Sequence, residues 1–453
     1  VQQSATYTIT PTAPAPGSCV GSTFTVIVYV DPKAVITPMS ATICSGTSFN
    51  VTPTNGQNGI VPDGARYTWN SAPAVSSVSL TGGVPASLVN SISGTLHNGT
   101  NSLQTAVYTV TPTTLACGEN NPFTVTVFVN PTPEITAMTT VVCSGFTFQV
   151  SPANFVNGIV PQAISYSWNE PNMSSVSLTG GQSGTNQPYV SGKLNSVASV
   201  AQTATYTIIP TGTNGTCEGL PFTLTVTVNP GGYINEMSTT ICSGYPFNIT
   251  PTDGVNGVIP FGTTFNWDPP TQSTSITGGS GAILQQSVSG KLFNGSNTTK
   301  TAVYIVTPNI PNCGTTYSTF TLTVYVNPTP VISALSRVTC SGVAFDVSPV
   351  NGGSVIVPAN TRYAWEIPTV SNPSLTGGAS ASNQNSVIGN LTNNTNTTQT
   401  ALYIVTPTTV LGACEGATFT VLIIVDSRAV INTMTAVICS GASFNVTPTN
   451  STN

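Results

Sequence analysis

Residues 222–228 read Phe-Thr-Leu-Thr-Val-Thr-Val, an unbroken alternation of apolar and threonine side chains. Successive side chains of a strand point to opposite faces, so this stretch predicts a strand with four apolar residues inward and three threonines outward. Threonine suits the solvent face of a sheet because it is both β-branched and polar. The same rhythm runs through Phe146, Thr147, Phe148, Gln149 and Val150. Over residues 131–229 the pattern predicts seven short strands, at 135–142, 146–150, 165–168, 177–179, 190–194, 205–208 and 222–228. The first breaks strict alternation at Ile135, Met138, Val141 and Val142, which predicts a kink or bulge. Pro210 is expected to end the sixth. Gly, Pro or Asn punctuates the chain every 8 to 15 residues, and no segment carries a helical period. Seven short strands in about 99 residues predict a β-sandwich of immunoglobulin-like size.

The pattern recurs. Cys-Ser-Gly stands at Cys44, Cys143, Cys242, Cys340 and Cys439, in steps of 99, 99, 98 and 99 residues. A constant step means one module copied along the chain. The reading gives residues 1–31 as the C-terminal part of a repeat and 427–453 as the N-terminal part of another. Four whole immunoglobulin-like repeats lie between them, at 32–130, 131–229, 230–327 and 328–426. Each is large enough to bury its own core. A chain that starts and stops inside a repeat is expected to be a segment of a longer protein. Between copies runs Asn130-Pro131-Thr132-Pro133, expected as a stiff extended linker because two prolines so close cannot both sit in a central strand.

Only 5% of residues are charged, against roughly 25% in ordinary soluble domains. Eight Lys and Arg in 453 residues cannot neutralise a phosphate track, so nucleic acid is excluded as a partner. The longest apolar runs, such as Val421–Val425, are far too short to span a bilayer. Ten cysteines fall two per period: Cys19, Cys44, Cys117, Cys143, Cys217, Cys242, Cys313, Cys340, Cys414 and Cys439. There is no Cys-x-x-Cys pair and one histidine in the chain, which argues against zinc. Regular cysteine pairs in a Thr/Ser-rich chain predict disulfides and a location outside the cytosol.

Candidate chemistry is sparse. The pairs Tyr67/Trp69, Tyr166/Trp168, Phe265/Trp267 and Tyr363/Trp365 hold one position in all four copies. Two residues apart on a strand is the same face, so they are assigned to the core, with a carbohydrate-stacking platform as the alternative. His97 has no counterpart in the other copies and reads as a surface-loop residue. Asp63, Glu119, Glu170 and Asp268 form no close pairs, and no Asp-x-Asp run offers a calcium site. No catalytic, metal or cofactor site is expected. Asn-x-Ser/Thr triplets at Asn98, Asn297 and Asn396 are taken as chance in so Asn-, Ser- and Thr-rich a chain.

The order Cys-Ser-Gly, Tyr-x-Trp, Thr-Gly-Gly, Ser-Gly-x-Leu, Thr-Ala-x-Tyr-x-Val-x-Pro, Cys, Phe-Thr-Val-x-Val-x-Val-Asn-Pro resembles the PKD-like, immunoglobulin-fold repeats of giant surface proteins in Bacteroidota. These include gliding-motility adhesins exported by the type 9 secretion system. The resemblance spans all four copies and both partial ones, with Phe265 in place of Tyr and Asp426-Ser427 in place of one Asn-Pro. It implies tandem sandwiches in a linear rod, a stalk of a long extracellular adhesin or filament, and no catalytic residues. Its partners would be neighbouring repeats, and surface polysaccharide would be met by other parts of the parent protein. A polysaccharide-binding repeat array is the alternative function.

The cysteines allow three pairings. Within one copy, Cys44 would join Cys117, but these fall at opposite ends of a sandwich and a disulfide needs Cα atoms within about 7 Å. Across the linker, Cys19 would join Cys44 and Cys117 would join Cys143, which folds one copy back on the next. Across the junction, Cys44 would join Cys217, Cys143 would join Cys313 and Cys242 would join Cys414. The last leads because it meets both the rod and the distance limit, and it leaves Cys19, Cys117, Cys340 and Cys439 for neighbours outside the segment.

Overall fold

The computed structural model describes residues 1–314 and 317–449, and residues 450–453 of the last partial repeat lie outside the described residues. It is all-β: four tandem sandwiches, with no helix among the described residues. The chain divides into two compact units, Val1–Pro230 and Gly231–Asn453.

In the first unit, the repeat at 131–229 has a large sheet in the order Met138–Cys143, Phe222–Asn229, Gln202–Gly212, Ile164–Trp168, Gly184–Gln187. A small sheet of Thr147–Val150, Val190–Ser196 and Leu178–Gly180 faces it. The repeat at 32–130 repeats this order from Met39–Cys44 and Phe123–Asn130 onward. In the second unit the two large sheets again begin Met237–Cys242, Phe320–Asn327 and Leu335–Cys340, Phe419–Asp426. Ahead of the first repeat, Gln3–Ile9 and Phe24–Val30 form an antiparallel hairpin that is exposed throughout.

The alternating residues place the core. Phe222, Leu224, Val226 and Val228 are buried between the sheets, and their threonine neighbours lie on the other face. The opening strand Met138–Cys143 runs parallel to the closing strand, from Met138 opposite Leu224 to Cys143 opposite Asn229. The kink expected in 135–142 is a change of partner. Glu134–Ile135 pairs with Gly158–Ile159, the Thr136 N–H donates to the Asn157 carbonyl at 2.9 Å, and from Met138 the chain joins the large sheet.

Pro210 does not end its strand, contrary to the reading of the sequence. Gln202–Gly212 runs through it, with Pro210 opposite Tyr166. The Pro210 carbonyl points to the other side, where the Gly219 N–H donates to it at 2.9 Å. The N–H that proline lacks would have pointed there too, so no rung to the Tyr166 strand is lost.

Gly184–Gln187 was also not predicted, since it carries no apolar side chain. It pairs with the Tyr166–Trp168 strand through a register shift, with Asn186 at a φ of +52°. Leu88, Leu284 and Asn383 hold the same left-handed position in the other copies, at φ of +52°, +55° and +56°. An edge strand bulged in this way presents a poor template to other chains.

A tyrosine of the long central strand completes each core: Tyr108, Tyr206, Tyr304 and Tyr403. The Tyr206 ring stands 5.6 Å from that of Phe148, and its hydroxyl is buried with no protein hydrogen-bond partner. Tyr108 and Tyr304 repeat this. Glycines make the slot: a Cβ on Gly181 would lie 2.8 Å, and one on Gly192 3.2 Å, from the Tyr206 oxygen. The second Gly of Thr-Gly-Gly and the Gly of Ser-Gly-x-Leu are thus the walls of a tyrosine pocket. Burial pushes the Tyr206 hydroxyl up to about 12. The folded repeat then keeps a proton that the unfolded chain releases above about pH 10. The resulting stability is full below pH 10 and is lost as pH rises toward 12. Tyr206→Phe is expected to change stability at pH 7 by less than about 1 kcal/mol, because the lost hydroxyl had no partner to give up. Denaturant midpoints measured from pH 9 to 12 should fall less steeply in the variant, by about 1.4 kcal/mol per pH unit.

Candidate functional site

The feature that recurs with most chemistry is the joint between consecutive repeats within a unit. Cys44 ends its opening strand opposite Asn130, the last residue of the closing strand. It therefore sits at the far end of its repeat. Cys217 lies ahead of the closing strand Phe222–Asn229, at the near end of the following repeat. The two are bonded, with S–S 1.99 Å and Cα–Cα 5.5 Å. The second unit shows the same joint in Cys242–Cys414, with Cα–Cα 5.5 Å. Both are the junction pairing, and in neither case does the chain fold back through its linker.

The linker is packed between the two repeats. Pro131 and Pro133 are buried. The Ser45 N–H donates to the Asn130 carbonyl at 2.8 Å, and the Thr132 hydroxyl donates to the Ser45 carbonyl at 3.0 Å. In the second unit Ser243 donates to Asn327 at 2.8 Å and Thr329 to Ser243 at 3.1 Å. On the other flank, Gly219 and Gly416 press so closely on the Pro133 and Pro330 carbonyls that a Cβ at either glycine would overlap the oxygen.

Cys19, Cys117, Cys340 and Cys439, counted among the disulfide cysteines from sequence, are thiols in this structure. The Cys117 sulfur lies 3.6 Å from the Asp31 carbonyl, in the linker ahead of its repeat. That is the side from which a junction partner would come.

The eight repeated aromatics, Tyr67, Trp69, Tyr166, Trp168, Phe265, Trp267, Tyr363 and Trp365, are all buried. Each indole N–H donates to a loop carbonyl: Trp69 to Val84 at 2.8 Å, Trp168 to Gln182 at 3.0 Å, Trp267 to Ser280 and Trp365 to Ala379 at 3.1 Å. Gly184 lies flat on the Trp168 ring, closing the face that a sugar would stack on.

The PKD-like domain matches the sequence four times, at 41–133, 139–232, 239–330 and 337–429. The chain belongs to the PKD-like domain family. No curated protein matches it. Among solved structures it is similar to the human desmocollin-1 ectodomain, at 11% identity over 86% of this chain and 80% of that one, with a TM-score of 0.26. Drosophila N-cadherin EC1-4 follows at 9% identity over 87% and 100%, with a TM-score of 0.22. The three N-terminal domains of the bacteriophage RB49 Hoc protein match at 10% over 63% and 96%, with a TM-score of 0.30.

The remaining polar residues of the PKD-like repeats have structural roles that composition hid. Asn98 is not a chance triplet. It is buried, its amide N–H groups reach the Ser102 and Val129 carbonyls at 2.8 and 2.9 Å, and its oxygen accepts from Thr100 N–H and hydroxyl at 2.9 and 2.7 Å. Asn294 with Ser296 and Asn393 with Thr395 build the same turn. In the repeat at 131–229 Ser196 takes this place, its hydroxyl oxygen accepting from the Ala198 N–H at 3.2 Å. His97 belongs to a strand, Ile92–Asn98, not to a loop, and its side chain is exposed. Among the described residues no three His, Cys, Asp or Glu side chains gather as a metal site needs. A shallow hollow beside the indole recurs in three repeats, lined at matching positions by Thr207 and Ile209, by Ile305 and Thr307, and by Ile404 and Thr406, with Glu170, Asp268 or Glu366 alongside.

Proposed function

We propose that this chain is a structural stalk segment of a long extracellular surface adhesin or filament, giving reach and transmitting force in cell adhesion or gliding. The observation that carries it is the joint disulfide, which ties the far end of one repeat to the near end of the next. Tension on such a chain passes from repeat to repeat through a covalent bond as well as through the linker. Disulfides of this kind persist in oxidising surroundings, which supports an extracellular and cell-surface location. Export by a type 9 system and origin in Bacteroidota rest on the resemblance of the repeats alone. The burial of the repeated aromatic pairs, which leaves no stacking face to a sugar, argues against the polysaccharide-binding array.

Strands of six to eight residues and their loops give roughly 35–45 Å per repeat at about 3.3 Å per residue. Small-angle scattering from chains of increasing repeat number should show a maximum dimension that grows linearly with copy number. A compact particle of the same mass would end this reading. A glycan array probed with the full chain separates stalk from binder.

A further inference from the structure

Each joint disulfide connects the end of one strand to the lead-in of another. Cys44 is the last residue of the opening strand Met39–Cys44, and Cys242 is the last of Met237–Cys242. Cys217 and Cys414 stand five residues ahead of the closing strands Phe222–Asn229 and Phe419–Asp426. The sulfurs therefore join a strand that runs to the far end of one repeat with a stretch that starts at the near end of the next. From Asn229 the chain passes through Pro230, Gly231 and Gly232 to the next opening strand at Met237. A second covalent route thus runs through the protein. It follows Met39 to Cys44, crosses to Cys217, follows residues 217–242, and crosses again to Cys414 and on to Asp426.

The route leaves out most of the protein. The first bond closes a loop over 173 residues and the second a loop over 172. Residues 45–216 and 243–413 lie inside those loops, and they hold all four buried indoles, Trp69, Trp168, Trp267 and Trp365. The two Asn-Pro-Thr-Pro linkers, at 130–133 and 327–330, fall inside them as well. So do Cys143 and Cys313, which are disulfide-bonded and lie off the route. What stays on the route is largely strand that is already extended. A strand rises about 3.3 Å per residue, close to the limit of roughly 3.3–3.6 Å per residue for a taut chain. A route made of such strands has little length to give when it is pulled.

We propose that these strands form a covalent tension cord that carries pulling force past the sandwiches. In the oxidised chain the repeat at 32–130 takes force only from its leading linker to Cys44, and the repeat at 131–229 only from Cys217 to Asn229. The second unit divides the task in the same way, between Met237–Cys242 and the stretch from Cys414 to Asp426. The rest of each sandwich feels no pull, because both ends of the hidden loop meet at one disulfide. A core that unfolds for a moment then adds nothing to the length of the chain. What the cord brings to a stalk is constant reach, and it rests on the stalk reading for that purpose alone.

The test stretches the full chain one molecule at a time by peptide tags at its two ends, oxidised and after reduction with dithiothreitol. Non-reducing peptide mapping of the oxidised sample should show both linked pairs, and absence of either overturns the proposal. The reduced chain is expected to lengthen in repeat-sized steps of roughly 300 Å, from about 99 residues at about 3.4 Å each less the folded length. The oxidised chain is expected to show none of these steps. Replacing Cys44 and Cys217 together by serine should return at least one step to the oxidised chain, and a variant that returns none overturns the cord. Trp168→Ala is expected to leave the oxidised trace unchanged, and to weaken or abolish one step of the reduced trace. Repeat-sized steps in the oxidised parent overturn the cord, as does an oxidised Trp168→Ala chain that extends further than the parent. A chain that is no stalk would still pass this test and fail the scattering one. A stalk without the cord would scatter as a rod and extend in full.

Discussion

Trp168→Ala is expected to destabilise the repeat at 131–229 by about 3–5 kcal/mol, the range for truncating a buried aromatic. The indole fills the space under Gly184, and its N–H satisfies the Gln182 carbonyl at 3.0 Å. Truncation leaves a cavity that this close backbone cannot collapse into, and it strips a donor from a part-buried carbonyl. Hydrogen exchange of peptides from residues 131–229 in increasing denaturant isolates this repeat from its neighbours. A midpoint equal to that of the parent chain would remove Trp168 from the core and bring the carbohydrate-stacking platform back.

Replacing Cys44 and Cys217 together by serine is expected to cost the first unit about 2–4 kcal/mol. The bond closes a loop of 173 residues, so the unfolded chain gains much freedom when it is cut. Neither cysteine is part of the apolar cluster of its repeat, so each sandwich should still fold. What is lost is the coupling between them. Calorimetry of the full chain should show the repeats at 32–130 and 131–229 melting further apart and earlier. An unchanged trace would mean that the linker prolines and the Thr132 hydroxyl hold the joint unaided.

Much of this architecture can be read from residues alone where one face is apolar. Phe222–Val228 declares its strand because alternate positions need opposite solvents, and the constant step between Cys-Ser-Gly turns declares the repeat. Gly184–Gln187 is invisible to that logic. It lies at an edge, contributes no apolar face and gains its place only by pairing with the Tyr166–Trp168 strand. Pro210 misleads because a proline forbids a hydrogen bond on one side only, and sequence does not say which side faces the neighbour. Asn98 misleads in the opposite way: its triplet looks like composition until its four bonds are seen.

The parallel pairing of opening and closing strands has a mechanical consequence. Those two strands are next to each other, and the linkers leave a repeat at its opposite ends. Once the Cys44–Cys217 bond is reduced, a pull along the chain therefore drags Met138–Cys143 and Phe222–Asn229 past one another lengthwise. Every rung between them is sheared at once. An antiparallel pair pulled from one end would instead unzip one rung at a time, each failing under a small force. Here the ladder from Met138 to Cys143 must give way together, so the force a repeat withstands is set by the whole ladder and not by its weakest bond.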